Sequence, residues 1–157
     1  MDRAYDKWQG TGWNYSQFLL NLDAAERKAV ILGNFHYQTC NGGICQYIEN
    51  GYATGSGRDL LTILDEIGTE NSQRVKRIVE NSFQYVNLHG ENEGCGGDYW
   101  SDDEEWVDDD DPPARYAVLD KLTDEYYAFY ESFTPEVEAY LKNAEDHTLV
   151  DLNCRRN

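Results

Sequence analysis

No run of apolar residues in this chain approaches the roughly twenty needed to cross a bilayer as a helix, so no membrane-spanning segment is expected. The opening residues, MDRAYDKWQGTGW, lack the apolar stretch of a secretion signal, which makes cytoplasmic residence the expectation. Cysteine is sparse, with Cys40, Cys45, Cys95 and Cys154 in 157 residues. A chain of that length can build a core without disulfide staples, and reduced thiols are expected. Basic residues are also scarce: thirteen Lys and Arg stand against thirty Asp and Glu, a net charge of −17. Such a surface repels DNA, RNA and anionic membranes, and favours basic protein partners or simple solubility.

Patterns for catalysis and metal binding are missing too. His36, His89 and His147 are isolated, and the spacing of His36, Cys40 and Cys45 misses the paired-cysteine pattern of a zinc site. Nothing local marks an activated thiol, so a hydrolase would need a pocket joining His36 and Cys40. The stretch GYATGSGRD at 51–59 has no following Gly-Lys-Ser/Thr and is expected as a turn from Ile48 to Leu60. Carboxylates are abundant, but EF-hand spacing is absent. The expectation is a protein without cofactor, metal or enzymatic turnover.

What the chain has in excess is negative charge, unevenly placed. Residues 91–111, ENEGCGGDYWSDDEEWVDDDD, hold eleven acids and no base. They begin among glycines and end at Pro112 and Pro113, which argues for a loop or linker. Self-repulsion opposes compaction there unless a positive surface lies nearby. Tyr99, Trp100 and Trp106 interrupt the acids, a mixture in which aromatics supply contact area and charges supply steering at protein interfaces.

Elsewhere the periodicity is helical, and twelve Tyr and four Trp speak for a folded body. A helix is expected from about residue 15 with Ser16 as its cap, and a second from Asp23 through Phe35, burying Ala25, Val30, Leu32 and Phe35. Asn41-Gly42-Gly43 breaks the pattern, since adjacent glycines adopt backbone that other residues resist. A short helix, ICQYIEN, follows and ends at Gly51. Residues 58–67 place Leu60, Leu61, Leu64 and Ile67 at helical spacing, stopping at Gly68. Residues 71–88 repeat the pattern through Val75, Ile78, Val79, Phe83 and Val86, with Arg74, Lys76 and Arg77 as a solvated basic face. Residues 115–133 carry a stripe of Val118, Leu119, Leu122, Tyr126, Phe129, Tyr130 and Phe133. Thr134-Pro135 reads as an N-cap and restart for a last helix burying Val137, Tyr140 and Leu141. The predicted class is all-α, a compact multi-helix bundle forming a single domain over 1–157, with an acidic loop inserted at 91–111.

Three of these stretches together resemble one family. Asn41-Gly42-Gly43, then Gln46-Tyr47 and Asn50 after a helix, is similar to the signature of the DMP19-like family of small bacterial helical proteins. LLTILDEIG at 60–68 and LDKLTDEYYAFYE at 119–131 resemble its following helices, and the likeness covers residues 15–141. The resemblance implies an all-helical monomer or weak homodimer with no known catalytic role. In it Asn41, Gly42, Gly43, Gln46, Tyr47 and Asn50 form a structural motif. The family's name comes from a DNA mimic, whose carboxylates stand in for duplex phosphates on a DNA-binding protein.

Duplex DNA presents about one charge per ~1.7 Å of axis, so a mimic needs dense carboxylates on an ordered surface. The candidates for partner binding are Asp98, Trp100, Asp102, Asp103, Glu104, Glu105, Trp106, Asp108, Asp109, Asp110 and Asp111, with Asp120, Asp124 and Glu125 on the following helix. Glu131, Glu136, Glu138, Glu145 and Asp146 would extend the field. The expected partner is a basic DNA-binding protein, such as a transcription factor or a defence nuclease, and not nucleic acid itself. The alternative is an acidic helical adaptor whose 91–111 loop is only a solvated insertion.

Overall fold

A computed structural model of the chain describes residues 14–86 and 114–143. Among the described residues there are six helices and no strands. They are α1 (Tyr15–Leu20), α2 (Ala24–Glu49), α3 (Tyr52–Ile67), α4 (Glu70–Val86), α5 (Ala114–Tyr127) and α6 (Tyr130–Asn143). The all-α expectation holds.

Helix α2 is the hub. It starts where the sequence predicts, at an Asp23 capping box: the Glu26 N–H donates to Asp23 Oδ1 at 2.8 Å, and the Asp23 N–H donates to Glu26 Oε2 at 3.1 Å. It packs on α3, α5 and α6, while α4 closes the bundle against α3, α5 and α6. Leu60 and Leu64 of α3, Val75, Ile78 and Val79 of α4 and Leu119, Tyr126 and Phe133 of α5–α6 are all buried in one core. At its centre Phe35 makes edge-on contacts with Tyr47 and Tyr126, with centroids 5.2 and 5.3 Å apart, an arrangement favoured by the ring quadrupoles.

The expected break at the double glycine is a kink inside α2, not a gap between helices. Gly42 (φ −145°) and Gly43 (φ 77°, ψ −177°) leave helical geometry, and the helix resumes to Glu49. In a regular helix the Ile44 N–H would bond the Cys40 carbonyl. Here it donates to Thr123 Oγ1 of α5 at 2.9 Å. The Thr39 and Cys40 carbonyls beside the break accept from the Tyr127 hydroxyl, at 2.7 and 3.2 Å. Thr123 and Tyr127 are four apart, one turn on the same face of α5. One helix thus serves both halves of the backbone that the kink exposes.

Four sequence expectations need correction. Asn14, not Ser16, caps α1, accepting from the Gln17 N–H at 2.9 Å. Residues 52–59 are not a turn but the first half of α3. Only Gly51 leaves helical geometry, at φ 75°. The glycines that suggested a turn answer to packing: a Cβ on Gly57 would lie 2.5 Å from Phe83 Cζ, so the bare backbone makes room for that ring. Thr134 does not cap α6, which begins at Tyr130 with Pro135 inside it. The chain instead tightens at Phe129, whose carbonyl accepts from the Ser132 and Phe133 N–H groups at 2.9 and 3.2 Å, while Thr134 Oγ1 donates back to the Tyr130 carbonyl. Finally, Ala25 and Val30 are half-buried, and the inward face of α2 runs instead through Ala29, Ile31, Leu32 and Phe35.

Gly43→Ala is expected to cost at least about 1–3 kcal/mol, because its φ and ψ suit glycine alone and the new Cβ would sit 2.9 Å from Thr123 Oγ1. Thr123→Val keeps the shape but strands the Ile44 N–H, at about 1–3 kcal/mol. Urea titration of both variants checks the clasp; wild-type stability in either would refute it.

Candidate functional site

The double-glycine motif resolves into a local network. Gln46 and Asn50 both donate to Gln38 Oε1, at 2.6 and 2.8 Å. Gln46 folds over Gly42, where any Cβ would collide with it. Tyr47 is buried, 6.4 Å from the stacked ring of Tyr52, and burial pushes its phenol pKa up, keeping it neutral. Asn41 is exposed on the outer side of the kink. Gln38 and Thr123, on which the motif closes, carried no signal in the sequence, because their importance lies in what the fold brings to them.

His36 and Cys40 do meet. Cys40 Sγ lies 3.8 and 3.7 Å from the two ring nitrogens of His36, and His36 Nδ1 is 2.7 Å from the Tyr126 hydroxyl. The adjoining cavity, lined by Leu32, Phe35, His36, Tyr126, Phe133, Thr134 and Val137, measures about 10 Å³, room for no more than a water. The sulfur, nearly equidistant from both nitrogens, packs against the ring, and the cavity beside His36 has no room for a substrate. Cys45 Sγ donates to Glu49 Oε1 at 3.0 Å. Among the described residues no three His, Cys, Asp or Glu side chains converge as a metal centre requires.

Ion pairs on the described surface are concentrated on α3. Three ion pairs tie carboxylates of α3 to cations of α2 and α4: Arg27–Asp59 at 2.7 Å, Lys28–Glu66 at 2.6 Å and Lys76–Asp65 at 2.7 Å. The Lys28 hydrogen bond holds Glu66 below the usual carboxylate range, assisted by the Tyr140 hydroxyl, and Lys28 is raised in turn, chiefly by Glu66. Lys76 lowers Asp65 in the same way. The basic face expected of Arg74, Lys76 and Arg77 is therefore partly committed. Lys76 is paired, and Arg74 lies over the Phe129 ring, its Cζ 3.7 Å from the centroid. Two open clefts, about 260 and 490 Å³, flank the Arg27–Asp59 pair between α2 and α3. The anionic groups on their walls, Asp59 and Glu66, are the ones already paired.

Helix α5 is different. Asp120, Asp124 and Glu125 are exposed, and no ion pair joins any of them among the described residues. Asp120 and Asp124 stand one turn apart, ~6 Å along the axis, on the stripe that continues to Tyr127. Glu125 is turned away from that stripe, onto the side of Lys121. Glu131 is exposed beside the Tyr130 hydroxyl, and Glu138 is half-buried. Glu136 corrects the expectation of an outward charge: its carboxylate is half-buried and accepts from Thr69 Oγ1 at 2.5 Å and Asn71 Nδ2 at 2.8 Å, joining α6 to the start of α4. The remaining candidates, Asp98, Trp100, Asp102, Asp103, Glu104, Glu105, Trp106, Asp108, Asp109, Asp110 and Asp111, with Glu145 and Asp146, lie outside the described residues.

This geometry defines a small all-helical protein whose central helix is kinked at a double glycine and clasped there by a tyrosine-bearing helix. The chain belongs to the DMP19-like family: the family model described as DMP19-like protein matches residues 20–144. That family is not known as an enzyme family. No curated protein and no solved structure matches the chain. No helix among the described residues is long and apolar enough to cross a membrane.

The Lys28–Glu66 pair gives a pH dependence whose sign is fixed. It stabilises the fold above the unfolded glutamate pKa, about 4.3, and below the unfolded lysine pKa, about 10.4. Acid removes that stabilisation as pH falls through the lowered Glu66 value. Base removes it as pH rises through the raised Lys28 value. Both groups are substantially exposed, so screening limits the effect to at most about 1 kcal/mol. Glu66→Gln is expected to flatten the loss of thermal midpoint between pH ~7 and pH ~3; an unchanged slope would show that other carboxylates set it.

Proposed function

We propose that the protein is a DNA mimic: it occupies the basic nucleic-acid-binding face of a bacterial regulator or defence protein and keeps nucleic acid out. The observation that carries this reading is the segregation of charge. Residues 91–111 hold eleven carboxylates without a base, and they lead within ten residues to α5, whose Asp120 and Asp124 stand exposed with no cation beside them. Elsewhere on the described body Asp59, Asp65, Glu66 and Glu80 have cations, and Asp23, Glu26 and Glu136 are held by hydrogen bonds. Membership of the DMP19-like family supports the reading from an independent direction.

Mechanistically the excess carboxylates steer a basic partner into encounter, and aromatic side chains such as Trp100 and Trp106 retain it. Neutralising a rim carboxylate is then expected to slow association and weaken salt dependence, while loss of a desolvated aromatic speeds dissociation. Capture from bacterial lysate by the intact chain, compared with a chain whose eight carboxylates at 102–111 are amides, tests the proposal. The expected result is one DNA-binding protein retained by the intact chain alone and released by competing duplex. Equal retention by both chains, or no release by duplex, would favour the adaptor reading. A diffuse set of basic proteins lost at physiological salt would remove support from both.

A further inference from the structure

We infer that the larger of the two clefts beside the Arg27–Asp59 pair binds an organic phosphate, with its phosphate on Arg58 and Arg27 and its apolar body on Phe83. The cleft measures about 490 Å³, within the size range of small-molecule sites. Three helices build it: α2 contributes Arg27, α3 contributes residues 53–59 and α4 contributes Phe83. Because 52–59 is helix and not turn, Thr54 and Arg58 stand one turn apart on the exposed face of α3, and Ala53 and Gly57 one turn apart on its buried face. Gly57 seats the tip of the Phe83 ring, which is half-buried and keeps part of its surface for the cleft.

The charges on the walls select the ligand. A net charge of −17 sets the field of the whole chain against any anion, so a cleft with positive charge in excess is a local exception. This one carries two guanidiniums, Arg27 and Arg58, against one carboxylate, Asp59. The smaller cleft balances Arg27 and Lys28 against Asp59 and Glu66 and has no such excess. Arg58 is exposed and joins no ion pair among the described residues. Arg27 spends Nη2 on Asp59 at 2.7 Å, which holds its guanidinium at the wall, and a guanidinium has five N–H donors to share. One guanidinium fork satisfies a carboxylate, whereas a phosphate monoester presents three strong acceptor oxygens and close to two charges, and suits two forks. Thr54 adds a hydroxyl to the same cleft, and Phe83 adds apolar surface that inorganic phosphate would leave unused.

The test titrates the full, isotope-labelled chain with phenyl phosphate and with inorganic phosphate, and follows the backbone amides of Thr54, Gly55 and Arg58 by NMR. Phenyl phosphate is expected to give saturable shifts there and to bind roughly three- to tenfold tighter than inorganic phosphate, the scale of an aromatic contact. Arg58→Gln should weaken both ligands by roughly five- to tenfold, the scale of a hydrogen bond to a charged group. Arg58→Lys, which restores the charge without the fork, should recover only part of that loss. Arg77→Gln removes the same charge from an exposed position outside the cleft and should change neither affinity. Phe83→Leu should erase the preference for phenyl phosphate. Because Phe83 also packs on the core, Thr54→Glu serves if that variant unfolds, and its carboxylate at an exposed position on the cleft should weaken both ligands. No saturable shift at these amides, equal affinity of wild type for the two phosphates, or equal losses in Arg58→Gln and Arg77→Gln would overturn the site.

Discussion

Everything in the described bundle is arranged around one exchange of hydrogen bonds. At the kink of α2 the Ile44 N–H turns from its own helix to Thr123 Oγ1, and the Tyr127 hydroxyl takes up the carbonyls of Thr39 and Cys40. Buried backbone groups cannot be left unpaired without a cost of about 1–3 kcal/mol each. The kink is therefore tolerable only with α5 docked, and α5 in turn is fixed in register by its two partners one turn apart. Thr123 Oγ1 also donates to the Leu119 carbonyl at 2.8 Å, so the hydroxyl is held at its post by its own helix. Phe35, Tyr47 and Tyr126 then meet at the centre because both helices have been placed.

That constraint reaches the surface. With Thr123 turned inward and Tyr127 laid across the kink, the helical period leaves Asp120 and Asp124 on the outer edge of the same stripe. The exposed carboxylates of α5 and the ring of Tyr127 share that stripe as a consequence of the clasp. Elsewhere the ion pairs of Lys28, Arg27 and Lys76 tie α2 to α3 and α3 to α4, taking those carboxylates out of the outward field. Asp120 and Asp124 of α5 keep their charge outward, with no ion pair among the described residues.

Several features were legible before the fold was known, each because it depends on neighbours in the chain. The Asp23 capping box needs only Glu26 three residues on. The stops at Gly51 and Gly68 need only left-handed backbone, and both have it, at φ 75° and 69°. Misreadings arose where a local pattern had a distant cause. Gly57 looked like a turn residue and is a seat for Phe83, which is 26 positions away in the chain. Thr134-Pro135 looked like a helix start, but burial of Phe129 had already set the restart one turn earlier. Glu136 looked like a surface charge and is held by Thr69 and Asn71.

The sequence by itself determined the class, the helical periods, the place of the kink and the excess of charge, since periodicity, glycine conformation and net charge are properties of the chain. Tertiary structure alone decided which carboxylates remain outward and which are spent on cations or hydroxyls. It also decided that Thr39, Thr123 and Tyr127, spread over 89 positions, meet at one kink. The physical reason is that an ion pair or an aromatic contact is made between surfaces, and two surfaces are neighbours only after the helices have packed.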